Sequence, residues 1–399
     1  MENKKNKCDY KRKYLKYKKK YFDFKLGGRF GIKSVIDYTD LNNVYAQYDN
    51  IDENILIRLK NEYWKSVGEY VEGVNEYLYP LVEFTIKNNK LHVTEENIKA
   101  FDAKKDQRLQ DVMDLIKKTI AHYGDVPNTR MYIWISDRFP WYIKPEEFPI
   151  YVFARPKNAL FPIFPDNTFA NLSIDVKYGK KQMDWNEIKK LINDNCSDKD
   201  FNSKMDKIYF KGADTTKRIH KIRSKLAKYG KKKDHILPLD IHLDAFTNYE
   251  PIYSFCNYKY LLNLPGHYPW SNRLKYLFLM KSIVINVNVK IVSIDSTYND
   301  DVYITFIDYV VTPDDYNDII FTYYKTRDRS KTAIAEKMNV DEFNKFIKSL
   351  TRLYKDIVEN PTKYVKTMER AYDKINNLGN IDVYEYIYNA IKLNSKILQ

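Results

Sequence analysis

Residues Asn257 to Val287 constrain the fold of this chain more than any other stretch. Tyr258 to Leu264 is a run of apolar and β-forming residues, which predicts a buried strand. Pro265 to Trp270 breaks the pattern as a loop, and Ser271 to Lys281 returns to helical spacing. Ile283 to Val289 is apolar again and predicts a second strand. Strand, loop, helix and strand in so short a span form a βαβ unit, whose two strands must be parallel in a helix-covered sheet. The loop and helix start then lie at the carboxyl end of the first strand, where open α/β sheets bind ligands. Ser271 suits an N-cap, and the helix start with its free N–H groups suits an anion. Arg273 in that turn can grip phosphate oxygens in bidentate fashion. Gly266 permits close backbone approach, and Asn272 and His267 lie in the same ligand loop.

The rest of the chain repeats the alternation. Met131–Ile135, Ile150–Phe153, Ile208–Phe210 and Ile236–Leu243 read as strands or strand-like segments. Residues 51–87, 94–122, 186–193, 216–229, 340–359, 364–377 and 383–393 read as helices. This predicts an α/β class with parallel sheets. A chain of 399 residues exceeds one ordinary core, so two domains are expected. We place them at 34–195 and 196–335, preceded by a basic segment 1–33 and followed by helices 336–399 that pack back on the first.

The basic charge is local. Residues 1–33 hold 13 Lys/Arg and three acids, so they carry +10 of the net +14, and the high pI describes a tail. Tyr10, Tyr14, Tyr17, Tyr21 and Phe24 form a heptad seam on a basic helix that Gly27-Gly28 ends. Such a segment can serve as an address tag or contact an anionic partner, nucleic acid or membrane. Similar Tyr/Lys-rich N-termini occur in proteins of giant DNA viruses. Three widely spaced cysteines, Cys8, Cys196 and Cys256, do not indicate a disulfide framework. No apolar run spans a bilayer and no signal core is evident, so a reducing, cytoplasmic setting is expected.

Three further constellations carry chemistry. Tyr209-Phe210-Lys211-Gly212-Ala213-Asp214-Thr215-Thr216-Lys217-Arg218 is strand, glycine and hydroxyl-rich helix start, a second anion-binding pattern. Lys211, Gly212, Ala213, Thr215 and Arg218 are its candidate contacts, although Lys217, Arg218, Lys221, Arg223, Lys225 and Lys228 also read as a solvated basic helix. Asp137, in Ser136-Asp-Arg-Phe-Pro140, follows an apolar strand, the usual mouth of an α/β site, where an Asp can also simply form a turn. Pro162-Ile-Phe-Pro-Asp-Asn-Thr-Phe169 is a Pro-rich loop. Asp240, His242 and Asp244 alternate on one strand face without a second ligand cluster, so no metal site is expected.

Tyr258-Lys259-Tyr260-Leu261, Ser271-Asn272-Arg273 and Leu277-Phe278-Leu279 resemble the signature of Rumi-type protein O-glucosyltransferases and fungal capsule xylosyltransferases. Phe210-Lys211-Gly212-Ala213 is similar to that family's Phe-Arg-Gly-Ser element, and Ser136–Pro140 to its Arg-Asp-Tyr-Pro-like turn. The resemblance covers about residues 130–290; Lys211, Ala213 and Pro265 depart from it. It implies a GT-B fold: two Rossmann-like domains facing a cleft, with extra terminal helices. It implies Asp137 as catalytic base, and a nucleotide sugar held by the Lys211–Arg218 and Gly266–Arg273 elements, chiefly through Arg218 and Arg273. Phe164, Asp166, Thr168 and Phe169 would lie beside the acceptor. The implied reaction is inverting and metal-independent, from a UDP-sugar (glucose or xylose, UDP-glucose first) to a hydroxyl of a protein or glycan. The alternatives are a degenerate transferase that only binds its ligand, and a basic, virion-associated or nucleic-acid-binding structural protein.

Overall fold

The computed structural model describes residues 35–48, 54, 80–103, 106–136, 148–176, 179–214, 221–232, 236–244, 250–266, 270–293, 302–326, 335–336 and 340–398. The first half comprises α1 (Thr39–Tyr45), β1 (Leu81–Lys87), β2 (Lys90–His92), α2 (Glu95–Ala103), α3 (Arg108–Tyr123), β3 (Thr129–Trp134), β4 (Ile150–Val152) and β5 (Ala154–Pro156). The hairpin β6 (Leu172–Val176) and β7 (Gly179–Met183) and helix α4 (Trp185–Cys196) follow. The second half comprises β8 (Met205–Lys211), α5 (Ile222–Gly230), β9 (Leu239–His242), β10 (Tyr258–Asn263), α6 (Leu274–Phe278), β11 (Ile283–Ser293), β12 (Tyr303–Thr305), β13 (Asn317–Thr326) and β14 (Ala335–Glu336). Helices α7 (Val340–Glu359), α8 (Pro361–Asn377) and α9 (Asn380–Asn394) close the chain.

The first sheet has the order β2-β1-β3-β4, with β1 antiparallel to β2 and β3, and β3 parallel to β4. Residues 81–87, expected to continue a helix, are therefore a strand. Val82, Phe84 and Ile86 alternate into the core, and the strand is paired on both sides. Asn88 and Asn89, both at positive φ (50° and 59°), turn β1 into β2. Two left-handed residues at a two-residue loop make the turn that matches strand twist, and Asn tolerates that conformation. The helix expected over 94–122 is two helices, α2 and α3. Asp106 accepts the Arg108 N–H at 3.1 Å before α3, and Gly124 ends α3 at φ 70°.

The second sheet has the order β14-β13-β11-β10-β8-β9, parallel except for β14 at its edge. Counted from β8, the parallel strands run 2-1-3-4-5, a doubly wound arrangement whose order reverses between β8 and β10. Helices α5, α7 and α8 share an apolar core with this sheet, including Leu226, Leu350 and Tyr364.

A larger core crosses both halves, from Val82, Phe84 and Ile116 through Phe169 and Trp185 to Leu261, Leu277 and Phe278. The C-terminal helices bridge the same divide. Helix α8 packs on α6 and β11, whereas α9 packs on α3 and β3. Trp185, fully buried, donates its indole N–H to Leu378 O at 2.7 Å. Cys196 at the end of α4 is disulfide-bonded to Cys256, with Cα atoms 5.9 Å apart. This overturns the expectation of unpaired cysteines and removes the cysteine argument for a reducing compartment. Spacing along the chain could not show it, because the fold brings together residues 60 positions apart. No helix among the described residues is long and apolar enough to cross a membrane.

Candidate functional site

Strands β8 and β10 end side by side at the point where the strand order reverses. The chain leaving each contributes an arginine. Arg273 follows β10, and its Nη1 donates to Lys211 O at the end of β8 (2.8 Å). Arg223, in the first turn of α5, donates from Nη1 to Ala213 O (2.6 Å) and from Nη2 to Leu264 O (3.0 Å). Both guanidinium carbons lie 5.0 Å from the ring centroid of Phe210. Cation–π contacts of this kind contribute about 0.5–2 kcal/mol each. Burial lowers the Arg273 pKa to about 10. Burial, then repulsion from Arg273, lowers that of Arg223 to about 9, with Asp214 offsetting part. Both remain cationic at neutral pH. Two like charges brought together under partial desolvation are a site whose energy falls when an anion arrives.

Gly212 makes this packing possible. A Cβ there would lie 2.8 Å from Phe210 Cζ and 3.1 Å from Arg273 Nη2. Its N–H donates to His242 O at 3.0 Å, so its backbone is committed to the edge of the sheet. Lys211 is buried and donates to Glu250 Oε2 (3.0 Å), which also accepts from Tyr209 OH (2.9 Å). Burial acts to raise the Glu250 carboxyl, but interactions with Ser254, then Lys211 and Tyr209, outweigh it and hold the group below its ordinary range.

Lys211, Glu250, Asn272 and Arg273 line a cleft with a cavity volume of about 210 Å³. Leu172, Ser173 and Ile174 of β6 form its opposite wall, so the cleft lies between the two halves. A separate polar row crosses the sheet. Asn263 donates to Asn286 (2.7 Å), and Asn286 and Asn288 donate to Asp318 (2.8 and 2.9 Å). Burial raises the Asp318 carboxyl to about 6.

Several expectations need correction here. Helix α6 runs only from Leu274 to Phe278, five residues, and its N-cap position is Arg273 rather than Ser271. Ser271 Oγ instead accepts the Arg273 N–H at 3.3 Å. A helix this short has little dipole, so the cationic character rests on the two arginines. Gly266 donates its N–H to Trp270 O (3.2 Å) and closes the loop. The basic helix is described from Ile222, after Lys221 at φ 52°; the part of the expected helix before Lys221 lies outside the described residues. Asp137, Thr215, Arg218 and His267 lie outside the described residues; the arginine seen beside Arg273 is Arg223. Asp240 and His242 bond to each other (2.6 Å), and the described residues contain no cluster of three or more His, Cys, Asp or Glu able to hold a metal.

The residues expected beside the acceptor are buried at the joint between the halves. Phe164 and Phe169 belong to the shared core. Asp166 accepts from the backbone N–H of Thr168 (3.1 Å) and from its hydroxyl, capping the short turn 167–169. Lys275 of α6, fully buried, donates to both oxygens of Asp166 (2.9 and 2.7 Å) and to Thr168 Oγ1 (2.8 Å). Tyr276 OH also donates to Thr168 Oγ1 (3.0 Å). This network ties the 162–169 loop to the helix that Arg273 begins. Arg223, Glu250, Lys275 and Tyr276 were not singled out in the sequence. Arg223 is one of six cations in a row, and Glu250 belongs to no motif; Lys275, though, sits inside the motif that carries the resemblance.

A doubly wound sheet facing a second α/β layer across a cleft, with its cations at the switch point, places the molecule in the GT-B-like class of sugar-transferring enzymes. Comparison with family models makes this specific: the model of glycosyl transferase family 90 matches residues 57–300. The chain belongs to glycosyl transferase family 90, which includes Rumi-like and capsule xylosyltransferases. A comparison with curated proteins finds no significant match.

Proposed function

We propose that this glycosyltransferase is inverting, takes a UDP-sugar as donor and glycosylates a hydroxyl of a protein or glycan without a metal ion. The observation that carries the proposal is the pair Arg273 and Arg223 against Phe210 at the switch point, cations suited to a diphosphate. In this reaction the acceptor oxygen attacks the anomeric carbon as its proton passes to the Asp137 carboxylate. The bond from that carbon to the β-phosphate oxygen breaks on the opposite face, and the two arginines stabilise the charge that develops on the departing UDP. General-base help of this kind contributes roughly 10²–10⁴ in rate. UDP-glucose is the first donor to try, UDP-xylose the second.

The test is binding and turnover over a panel of nucleotide sugars. Wild type should bind UDP and consume one UDP-sugar. Arg273→Ala should lose binding about tenfold or more. Asp137→Asn should bind normally and turn over at least a hundredfold more slowly. A protein that binds no uridine nucleotide sinks the donor assignment. A second reading, a binding module without turnover, draws on Lys211 and Ala213. The lysine is already paired with Glu250, and the alanine has no hydroxyl to offer. Wild type that binds UDP yet consumes no donor would favour it.

A further inference from the structure

Glu250 is the one carboxylate that lines the cleft among the described residues, and nothing in the proposed glycosyl transfer uses it. It stands in the same cleft as Arg273 but is ion-paired with Lys211. The hydrogen bonds from Tyr209 OH at 2.9 Å and Lys211 Nζ at 3.0 Å both fall on Oε2. The support behind it is stiff. Tyr209 stacks on Tyr258 with ring centroids 3.8 Å apart and meets Phe255 edge-on, and Cys256 is held by the disulfide to Cys196. The carboxylate is thus fixed in place, ionised, and about one-third exposed (30%), whereas Lys211 behind it is 8% exposed.

A fixed anion beside an arginine that it does not neutralise sorts a ligand into two parts. Phosphates go to the arginine and are repelled by the carboxylate. Hydroxyl groups, which donate, go to the carboxylate. A nucleoside diphosphate sugar has both parts, with vicinal hydroxyls on its ribose and on its sugar. We propose that Glu250 is a specificity-determining residue that accepts hydrogen bonds from a hydroxyl pair of the donor. This rests on the nucleotide-sugar reading above. The neutral pairing with Lys211 also means that Lys211 adds little to phosphate binding while Glu250 is present.

The test compares pyrophosphate, UDP, 2′-deoxy-UDP and UDP-glucose by calorimetry on wild type, Glu250→Gln and Glu250→Ala. Pyrophosphate should bind the variants as well as wild type, or more tightly in Glu250→Ala, where Lys211 is released; this also shows that the site is folded. Ligands carrying the recognised hydroxyls should weaken about tenfold. A loss already present with UDP and abolished for 2′-deoxy-UDP assigns the contact to the ribose. A loss confined to UDP-glucose assigns it to the sugar. Equal loss for pyrophosphate and UDP-glucose, or no loss for either nucleotide, overturns the role of Glu250. Wild type that binds pyrophosphate but neither uridine ligand instead overturns the donor assignment on which it rests.

Discussion

Replacing Asp166 by Asn isolates the joint between the two halves. In the native protein Lys275 is fully buried and Asp166 is 6% exposed at the side chain, and the lysine uses both carboxylate oxygens. The variant keeps the shape but leaves a buried ammonium without its counter-charge. Breaking one partner of such a pair costs about 3–5 kcal/mol. Burial already lowers the Lys275 pKa, and Asp166 opposes that lowering. Without Asp166 the folded-state pKa falls further below the ~10.4 of the unfolded chain. The unfolded state then binds more protons between those two values, so stability rises with pH across that window. The deficit of Asp166→Asn should therefore be largest near pH 7 and shrink toward pH 10. Removing both charges in Asp166→Asn/Lys275→Met should restore most of the loss. Urea unfolding followed by tryptophan fluorescence reads this directly, since Trp185 lies in the same core. A cost below about 1 kcal/mol, the range of exposed pairs, would refute the argument. So would a double variant as unstable as the single one.

Other outcomes follow from single features. Gly212→Ala forces Phe210 or Arg273 to move, so pyrophosphate affinity should fall about tenfold while folding stability changes by about 1–3 kcal/mol at most; undiminished affinity would show that the close contact is dispensable. Cys196→Ser/Cys256→Ser opens a cross-link over 60 residues, and the loop-entropy model expects a loss of about 4 kcal/mol; a reductant should lower the denaturation midpoint of wild type but not of the variant. Asp111 is buried in α3 with Asn167 on Oδ2, and burial raises its carboxyl to about 6. Its folded pKa lies above the unfolded ~3.9, so its contribution is present below about pH 4 and is lost as pH rises through 6, at about 2–3 kcal/mol. Asp111→Asn should accordingly gain on wild type between pH 4 and pH 7.5, and a pH-independent difference would disprove the assignment.

The elements legible in the sequence are those set by local pattern. The succession Tyr258–Asn263, loop, Ile283 onward could be read because an apolar strand, a loop break and a helical face each repeat within a few residues. The three C-terminal helices could be read for the same reason; Val340–Glu359 agrees at both ends. Leu81–Lys87 was misread because seven residues can fit either period. The deciding signal, two asparagines at a tight turn, came after the run. Arg273 stands out in the sequence because its motif is contiguous. Arg223 does not, because a row of cations looks alike until the sheet places one of them against Phe210.

By itself, then, the sequence determined an α/β chain with a βαβ unit whose loop bears an arginine, and the family resemblance that names sugar transfer. Tertiary structure alone decided the rest. It joined Cys196 to Cys256 and set Arg223 beside Arg273. It also made Asp166 and Thr168, expected beside the acceptor in a Pro-rich loop, the partners of Lys275. The reason is physical. Backbone periodicity is a local property, whereas pairing of charges and thiols depends on which residues the crossovers of a doubly wound sheet bring within a few ångströms.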